Sequence, residues 1–394
     1  MKFFIPRVKA FVEQRQSLPA ALTTFSQTGH DKLFWFHCAS LGEFEQIRPL
    51  LERTRQEFPT TKLVVTFFSS SGYEIHKSTS LADVVCYLPL DRKKDLNAFL
   101  DLIQPTALFL VKYEFWPNLI YCTKQKNIAL YSISSSFRKK QLFFKSFSFG
   151  TSQLLKNIDH FFVLNRESKE LLHQLEINAV TVVGDTRFDQ VLETLSDKKT
   201  HPILDDFLLN EKAFIAGSTW KEDHEIILKC CREDSRIKWI IAPHKIDAFS
   251  IKSLEKQLKI PFAKWTSYHS PEDRNKKVLI LDCIGVLSSA YAYARFAYIG
   301  GAMGKGGLHN TLEAAVFRLP IVIGKNYKRY PEARDLIDNG GMKSVSNPKE
   351  FELIWSKLSD HDQQCEAMGT TNFTYVWQGK GGTDKIISFL KKLF

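Results

Sequence analysis

Two carboxylates and one glycine-rich turn stand where this chain can do chemistry. Glu43 follows Ser40-Leu41-Gly42, directly after the apolar run Leu33–Cys38. It therefore falls in the first turn of a helix at the end of a strand. A carboxylate there can act as general base toward a hydroxyl if burial raises its pKa. The same spacing fits a capping box, with Ser40 capping and Glu43 closing it. Glu114 lies in Lys112-Tyr113-Glu114-Phe115-Trp116-Pro117-Asn118, after the strand-like run Ala107–Val111. Flanked by aromatic rings it is costly to bury alone, so it either faces a substrate or pairs with a cation such as Arg138. The turn holds Gly300, Gly301, Gly304, Gly306 and Gly307, behind an apolar run at 296–299. Asn310 or Thr311 can cap a helix running on through Leu312, Ala315, Val316 and Phe317 and stopping before Pro320. Strand, glycine loop and helix N-terminus can hold a phosphate by backbone N–H groups and helix dipole, without a metal. Lys305 and His309 can add charge or hydrogen bonds, and Glu313 can accept from a ribose diol. The plainer reading is a Gly-rich turn in an α/β domain. The pattern is neither a Walker A loop nor a GxGxxG opening an N-terminal βαβ unit.

Three further groups follow strands or connect them. Ser218 and Thr219 can cap the next helix or bind phosphate at its start. His244 and Lys245, after Pro243, can meet a leaving phosphate or sit in a solvated loop. Arg138, Lys139 and Lys140 lie in a stretch, residues 134–147, that mixes basic residues with Phe. Each such charge near an anionic membrane is worth about 1 kcal/mol, and the Phe side chains can enter the headgroup boundary. Alternatively the loop is solvated and its Phe residues pack inward.

Near-continuous apolar strands alternating with helical patterns place these residues on parallel sheets covered on both faces. In such sheets ligands sit beyond the carboxyl ends of the strands. Two series occur, separated by the polar stretch at 196–202. A length of 394 residues suits two domains. The expected division is 1–195 and 196–394, the second closing on an amphipathic helix marked by Ile386, Ile387, Leu390 and Leu393. A net charge of +11 favours anionic partners, and 31 Phe residues tilt the choice toward a lipid surface over a nucleic-acid groove. The opening segment, residues 1–12, is basic and aromatic and can touch an interface without crossing it. Seven cysteines without a CxxC pair point to a reducing compartment and core thiols, with no zinc signature. No apolar run reaches 18 residues.

In order along about residues 34–341, Ser40-Leu41-Gly42-Glu43, Glu114-Phe115-Trp116-Pro117-Asn118, Gly184-Asp185-Thr186-Arg187-Phe188-Asp189, Gly217-Ser218-Thr219 and the Gly307-Leu308-His309-Asn310-Thr311-Leu312-Glu313-Ala314-Ala315 stretch resemble the 3-deoxy-D-manno-octulosonic acid (Kdo) transferases of lipopolysaccharide assembly. The resemblance implies a GT-B fold: two Rossmann-like, doubly wound parallel-sheet domains facing a central cleft, acceptor on the first and nucleotide sugar on the second. It implies CMP-Kdo as donor, a lipid A precursor (lipid IVA) as acceptor, and inversion without metal or cofactor. Glu43 matches the proposed catalytic base and Glu114 the second acidic position. Ser218, Thr219, Asn310 and Glu313 fall on the nucleotide side, with Gly306, Gly307 and His309 in the same loop. Where the family usually shows Pro-Arg-His, this chain has Pro243-His244-Lys245, which moves the expected phosphate contact to Lys245 or His244. Members usually begin with a hydrophobic anchor, which this sequence does not show. The expectation is peripheral attachment to the anionic cytoplasmic face of the inner membrane, or an anchor outside this sequence, and no nucleic-acid partner. The alternatives are another GT-B enzyme using a UDP-sugar, transferase or 2-epimerase, and a non-catalytic basic protein that binds membrane or nucleic acid.

Overall fold

Every residue of Leu33–Cys38 (β1) is buried, and successive side chains go to opposite faces of the sheet. Leu33 and Trp35 join one apolar cluster, while Phe34, Phe36 and Cys38 join another. That is how a central strand of a sheet covered on both faces must read. The structure, a computed structural model, describes residues 11–13, 15, 22, 25, 29, 31–145, 149–196 and 199–394. Most of the opening basic segment, Ser146 and Phe147 of the basic loop, and residues 197 and 198 of the linker lie outside the described residues.

The chain divides into two compact units. In the first, β1 is joined by β2 (Lys62–Phe67), β3 (Val84–Tyr87), β4 (Ala107–Val111), β5 (Ala129–Ser135), β6 (His160–Val163) and β7 (Val180–Val182). All pairings are parallel, in the order β3-β2-β1-β4-β5-β6-β7. The second holds β8 (Ala213–Thr219), β9 (Trp239–Pro243), β10 (Phe262–Lys264), β11 (Val278–Ile280), β12 (Ala294–Ile299), β13 (Ile321–Gly324) and β14 (Met342–Val345). Its order is β10-β11-β9-β8-β12-β13-β14, again all parallel. Both sheets are doubly wound and Rossmann-like, as GT-B domains are.

The division differs from the expected one at the tail. The first unit takes in residues up to 190 and also Gly379–Phe394, leaving Val191–Gln378 to the second. The helix Gly382–Leu390 therefore belongs with the first sheet: Ile386, Ile387 and Leu390 pack in the cluster of Phe34 and Phe36. Asp189 fastens its start, accepting hydrogen bonds from the backbone N–H of Gly381 (2.6 Å) and of Thr383 (2.7 Å). The amphipathic spacing was legible; the sheet it covers was not.

The seven thiols are free, six of them buried. Among the described residues no helix is long and apolar enough to cross a membrane.

Strand order locates the crevices. A doubly wound sheet opens where consecutive connections leave to opposite faces. In the first unit that point lies between β1 and β4, and in the second between β8 and β12.

Candidate active site

The first crevice gathers Glu43 and Glu114. β1 delivers His37 and, through Ala39 and Ser40, the helix Leu41–Glu57 that carries Glu43; β4 delivers Lys112 and Glu114. Ser40 makes no side-chain cap hydrogen bond, and the N–H that Glu43 takes is that of Ala39, one residue before the cap, so the capping-box alternative is not formed. The Glu43 carboxylate turns back and accepts from the Ala39 N–H. Burial, reinforced by the charge of Glu114, raises the Glu43 pKa, against the lowering effects of the Ala39 bond, Lys112 and His37. A carboxylate shifted that way suits proton abstraction near neutral pH.

Glu114 does not pair with Arg138. Its Oε2 faces His37 Nε2 at 3.3 Å and accepts from Trp116 Nε1 at 2.8 Å. Burial pushes the Glu114 carboxyl up, but the His37 and Trp116 interactions outweigh it and the net shift is downward. His37, fully buried, was not singled out in the sequence, where it reads as one more residue of an apolar strand. Its Nδ1 meets Thr66 of the neighbouring β2, at 3.1 Å to the carbonyl and 3.0 Å to the hydroxyl.

Arg138, Lys139 and Lys140 are exposed in the loop after β5. The Phe residues beside them take the inward alternative: Phe137 is fully buried, and Phe143 and Phe144 pack against the same cluster. The loop thus offers water its charges and Leu142, and the expected insertion of Phe rings into headgroups is not available to Phe137, Phe143 or Phe144.

The second crevice gathers the residues expected on the nucleotide side. Neither Ser218 nor Thr219 caps the helix Lys221–Glu233. Ser218 sits at a left-handed φ of 52°, and Thr219 is buried with its hydroxyl 2.9 Å from His224 Nε2. The start of that helix is fixed by Asp223, whose carboxylate accepts from Trp220 N (2.8 Å), Gly301 N (2.9 Å) and Tyr298 OH (2.8 Å). Burial raises the Asp223 pKa despite these three donors. Asp223 was missed in the sequence; an acidic residue three positions after Trp220, at the end of a strand, was the available signal.

Asp223 also changes the reading of the glycine loop. The N–H of Gly301 is spent on it, the N–H of Gly300 on Gly217 O (2.9 Å) and the N–H of His309 on Gly300 O (3.3 Å). An anion must be met elsewhere along the loop. The helix behind it is a single turn, Leu312–Ala315, and does not run on through Val316 and Phe317, so its dipole is small. Asn310 supplies the turn: its Oδ1 accepts from Leu312 N at 3.1 Å and its Nδ2 donates to Glu313 Oε1 at 3.0 Å. Gly307 has φ 92°, and a Cβ there would lie 2.5 Å from the Tyr330 hydroxyl. Beside Gly306, whose added Cβ would come within 3.0 Å of the Trp220 ring, rings stack: Trp220 on His244 at 4.6 Å, and His244 on His309 at 4.4 Å. Lys245 Nζ lies 5.3 Å from the centre of the Trp220 ring. Thus Trp220, His244, Lys245, Gly306 and His309 form one surface, with Gly307, Asn310 and Glu313 farther along the same loop.

Residues 13–190 match the family model described as 3-deoxy-D-manno-octulosonic-acid transferase (kdotransferase). A bifunctional glycosyltransferase/methyltransferase of Fusobacterium nucleatum is 27% identical over 361 residues, covering 89% of this chain and 55% of that protein. This chain therefore spans about half the length of that relative. The 3-deoxy-D-manno-octulosonic acid transferase of Haemophilus influenzae is 25% identical over 378 residues, 91% of this chain and 86% of that protein. That of Aquifex aeolicus is 28% identical over 332 residues, 83% and 85% respectively. Among solved structures, the UDP-GlcNAc 2-epimerase of Neisseria meningitidis bound to UDP-GlcNAc matches with a TM-score of 0.65 at 15% identity, over 92% of this chain and 100% of that one. Acinetobacter baumannii MurG matches with a TM-score of 0.54 at 9% identity, over 92% and 99%. These two likenesses concern the fold alone.

Proposed function

We propose that this chain, whose residues 13–190 match the 3-deoxy-D-manno-octulosonic-acid transferase family model, is a glycosyltransferase moving Kdo from CMP-Kdo to a lipid A precursor, with inversion and without a metal. The observation that carries the reading is the Glu43 carboxylate: it stands at the crevice of the first sheet, with its pKa raised by burial and by Glu114.

In the proposed reaction the acceptor hydroxyl oxygen attacks the anomeric carbon of Kdo. Its proton passes to Glu43, and the bond from that carbon to the CMP phosphate oxygen breaks, with the electron pair leaving on CMP. One base suffices for a single displacement. Glu114, held by His37 and Trp116, shapes the field around that base. Charge grows on the leaving phosphate, where preorganised donors count most. Lys245, His244, His309 and the Gly306–Gly307 turn are the groups proposed to meet it, with Ser218, Thr219, Asn310 and Glu313 framing the nucleotide. The exposed Arg138, Lys139 and Lys140 are proposed to hold the chain at the anionic cytoplasmic face of the inner membrane, where a lipid acceptor resides.

Incubation with CMP-Kdo generated in situ and a lipid A precursor, read by mass spectrometry, tests the reading. The expected result is acceptor carrying Kdo, with none formed from UDP-sugars. Folded protein that transfers from a UDP-sugar, or from no donor, would overturn it.

A further inference from the structure

The glycine loop leaves donors unspent. The N–H groups of Gly306 and Gly307 meet no acceptor among the described residues. The chain after β13 runs against this loop, because β12 and β13 pair side by side with Ile299 opposite Ile323. Asn326 fastens it there. Its N–H donates to Ala302 O at 2.9 Å, and its Nδ2 donates to Met303 O and Gly304 O, each at 3.1 Å. Arg329 and Tyr330 are thereby brought to Gly307: a Cβ added at that glycine would lie 2.9 Å from Arg329 Nη2 and 2.5 Å from the Tyr330 hydroxyl. The guanidinium sits over the Tyr330 ring, 5.1 Å from its centre. Among the described residues Arg329 forms no ion pair and the Tyr330 hydroxyl has no hydrogen-bond partner. All of these groups lie in the second unit. An unpaired guanidinium and an unpaired hydroxyl beside a turn with unspent N–H groups suit an oxyanion.

We propose that Arg329, with the Tyr330 hydroxyl, grips the sugar carboxylate of the donor and so selects an acidic sugar over a neutral one. The inference rests on the reading of the chain as a CMP-Kdo-dependent transferase. That donor carries two oxyanions, a phosphate and the carboxylate of the sugar acid. Both are attached to the anomeric carbon, the phosphate through its ester oxygen, so their binding groups have to be neighbours. With Lys245, His244, His309 and the Gly306–Gly307 turn on the phosphate, the carboxylate still needs a cation, and Arg329 borders that same turn. A guanidinium presents a planar fork that matches a carboxylate with two parallel N–H···O bonds, and the Tyr330 hydroxyl can donate a third. A neutral sugar in the same place would leave Arg329 without its partner, and specificity is that difference in affinity. Lys325 and Lys328 are exposed on the same loop; they lack the fork and add only to the general positive field.

The test measures binding of CMP and of freshly generated CMP-Kdo to the full chain by calorimetry, with the acceptor omitted, beside the KM for CMP-Kdo in transfer. Arg329→Gln should weaken CMP-Kdo by about tenfold or more, the scale of a lost hydrogen bond to a charged group, and raise its KM to match. CMP has no carboxylate, and its affinity should change less than about twofold. Arg329→Lys keeps the charge without the fork and should recover part of the loss. Lys328→Gln, the same charge change one residue away, should alter neither ligand. Equal weakening of CMP and CMP-Kdo in Arg329→Gln would put Arg329 on the phosphate and overturn the carboxylate assignment; unchanged binding of both would overturn it as well. If Arg329→Gln does not fold, Tyr330→Phe decides: a loss confined to CMP-Kdo supports the grip, and equal or absent losses overturn it. A wild type that binds CMP but neither binds CMP-Kdo nor transfers Kdo sinks the functional reading. A wild type that transfers Kdo, while Arg329→Gln binds CMP-Kdo undiminished, sinks the role of Arg329 alone.

Discussion

Trp220 Nε1 donates to His309 Nε2 at 3.0 Å, with the two rings only 11° from parallel. Because Nε2 accepts, the proton of His309 sits on Nδ1. Burial, then the neighbouring His244, push the His309 pKa down to about 4, so the ring is neutral at physiological pH and its Nδ1–H is a fixed donor. Trp220→Phe keeps a ring on His244 and removes the donor that sets this tautomer. Losing one such bond costs about 1–1.5 kcal/mol, or roughly tenfold in the KM for the donor nucleotide if His309 serves the phosphate. Steady-state kinetics with varied CMP-Kdo checks it; an unchanged KM would remove His309 from the donor site. Because the His309 pKa lies at about 4, this histidine should not set an acid limb of activity near pH 6.

An acid limb is expected from Glu43, the proposed base. The base works ionised, so activity falls as pH drops through its raised pKa, and the limb of kcat/KM should lie above the ordinary carboxyl value of 4.5. Glu43→Gln keeps an oxygen for the Ala39 N–H but removes the base, and transfer should drop at least a hundredfold, within the usual range for general-base loss, while CMP still binds. Stability moves the other way. A carboxylate whose folded pKa is raised destabilises the fold above that pKa, and the cost fades as pH falls through it. Glu43→Gln should therefore melt at or above the wild-type temperature at pH 7.5; a lower Tm would mean that the carboxylate serves the fold.

Most strands were legible because they are buried through their length. β10 and β14 were not: they are edge strands of three and four residues, with only part of each buried, and so carry no long apolar run. The two acidic positions were legible from their place after strands, and so was the glycine loop. What joins them was not. His37 and Glu114 are 77 positions apart, and the pairing follows from β1 and β4 lying side by side, which strand order decides. The length of the helix after Thr311 was misjudged because apolar residues continue through Val316 and Phe317; the chain leaves the helix there, with Arg318 at φ 57°. Asp223 is a further case: its value lies in three donors drawn from β12, the Gly301 turn and its own helix.

Asp189 offers a direct test of the returning tail. It caps, from outside, a helix whose preceding residue is Gly381 at φ 94° and whose first N–H groups need an acceptor. Asp189→Ala removes both bonds and should cost about 1–2 kcal/mol, the scale of a lost cap. Chemical denaturation measures it. Limited trypsin digestion should release the tail by cutting after Lys380 sooner than in the wild type. Unchanged stability would show that Ile386, Ile387 and Leu390 hold the helix without the cap.

The basic loop after β5 can be tested apart from catalysis. With Phe137, Phe143 and Phe144 turned to the core, the described residues that can give it affinity for a bilayer are Arg138, Lys139, Lys140, Lys145 and the 66% exposed Leu142. Three charges at about 1 kcal/mol each amount to a hundredfold or so in partitioning at low salt. The triple reversal Arg138→Glu, Lys139→Glu and Lys140→Glu should abolish binding to vesicles containing anionic lipid and leave the weak binding to zwitterionic vesicles as it was. Raising salt to about 0.5 M shortens the screening length to a few ångströms and should reproduce the mutant behaviour in the wild type. Transfer to an acceptor dispersed in neutral detergent should survive the reversal, because these side chains are exposed and Glu114 is held by His37 and Trp116 instead. If that transfer falls as steeply as vesicle binding does, the loop meets the acceptor headgroup itself and not the membrane around it.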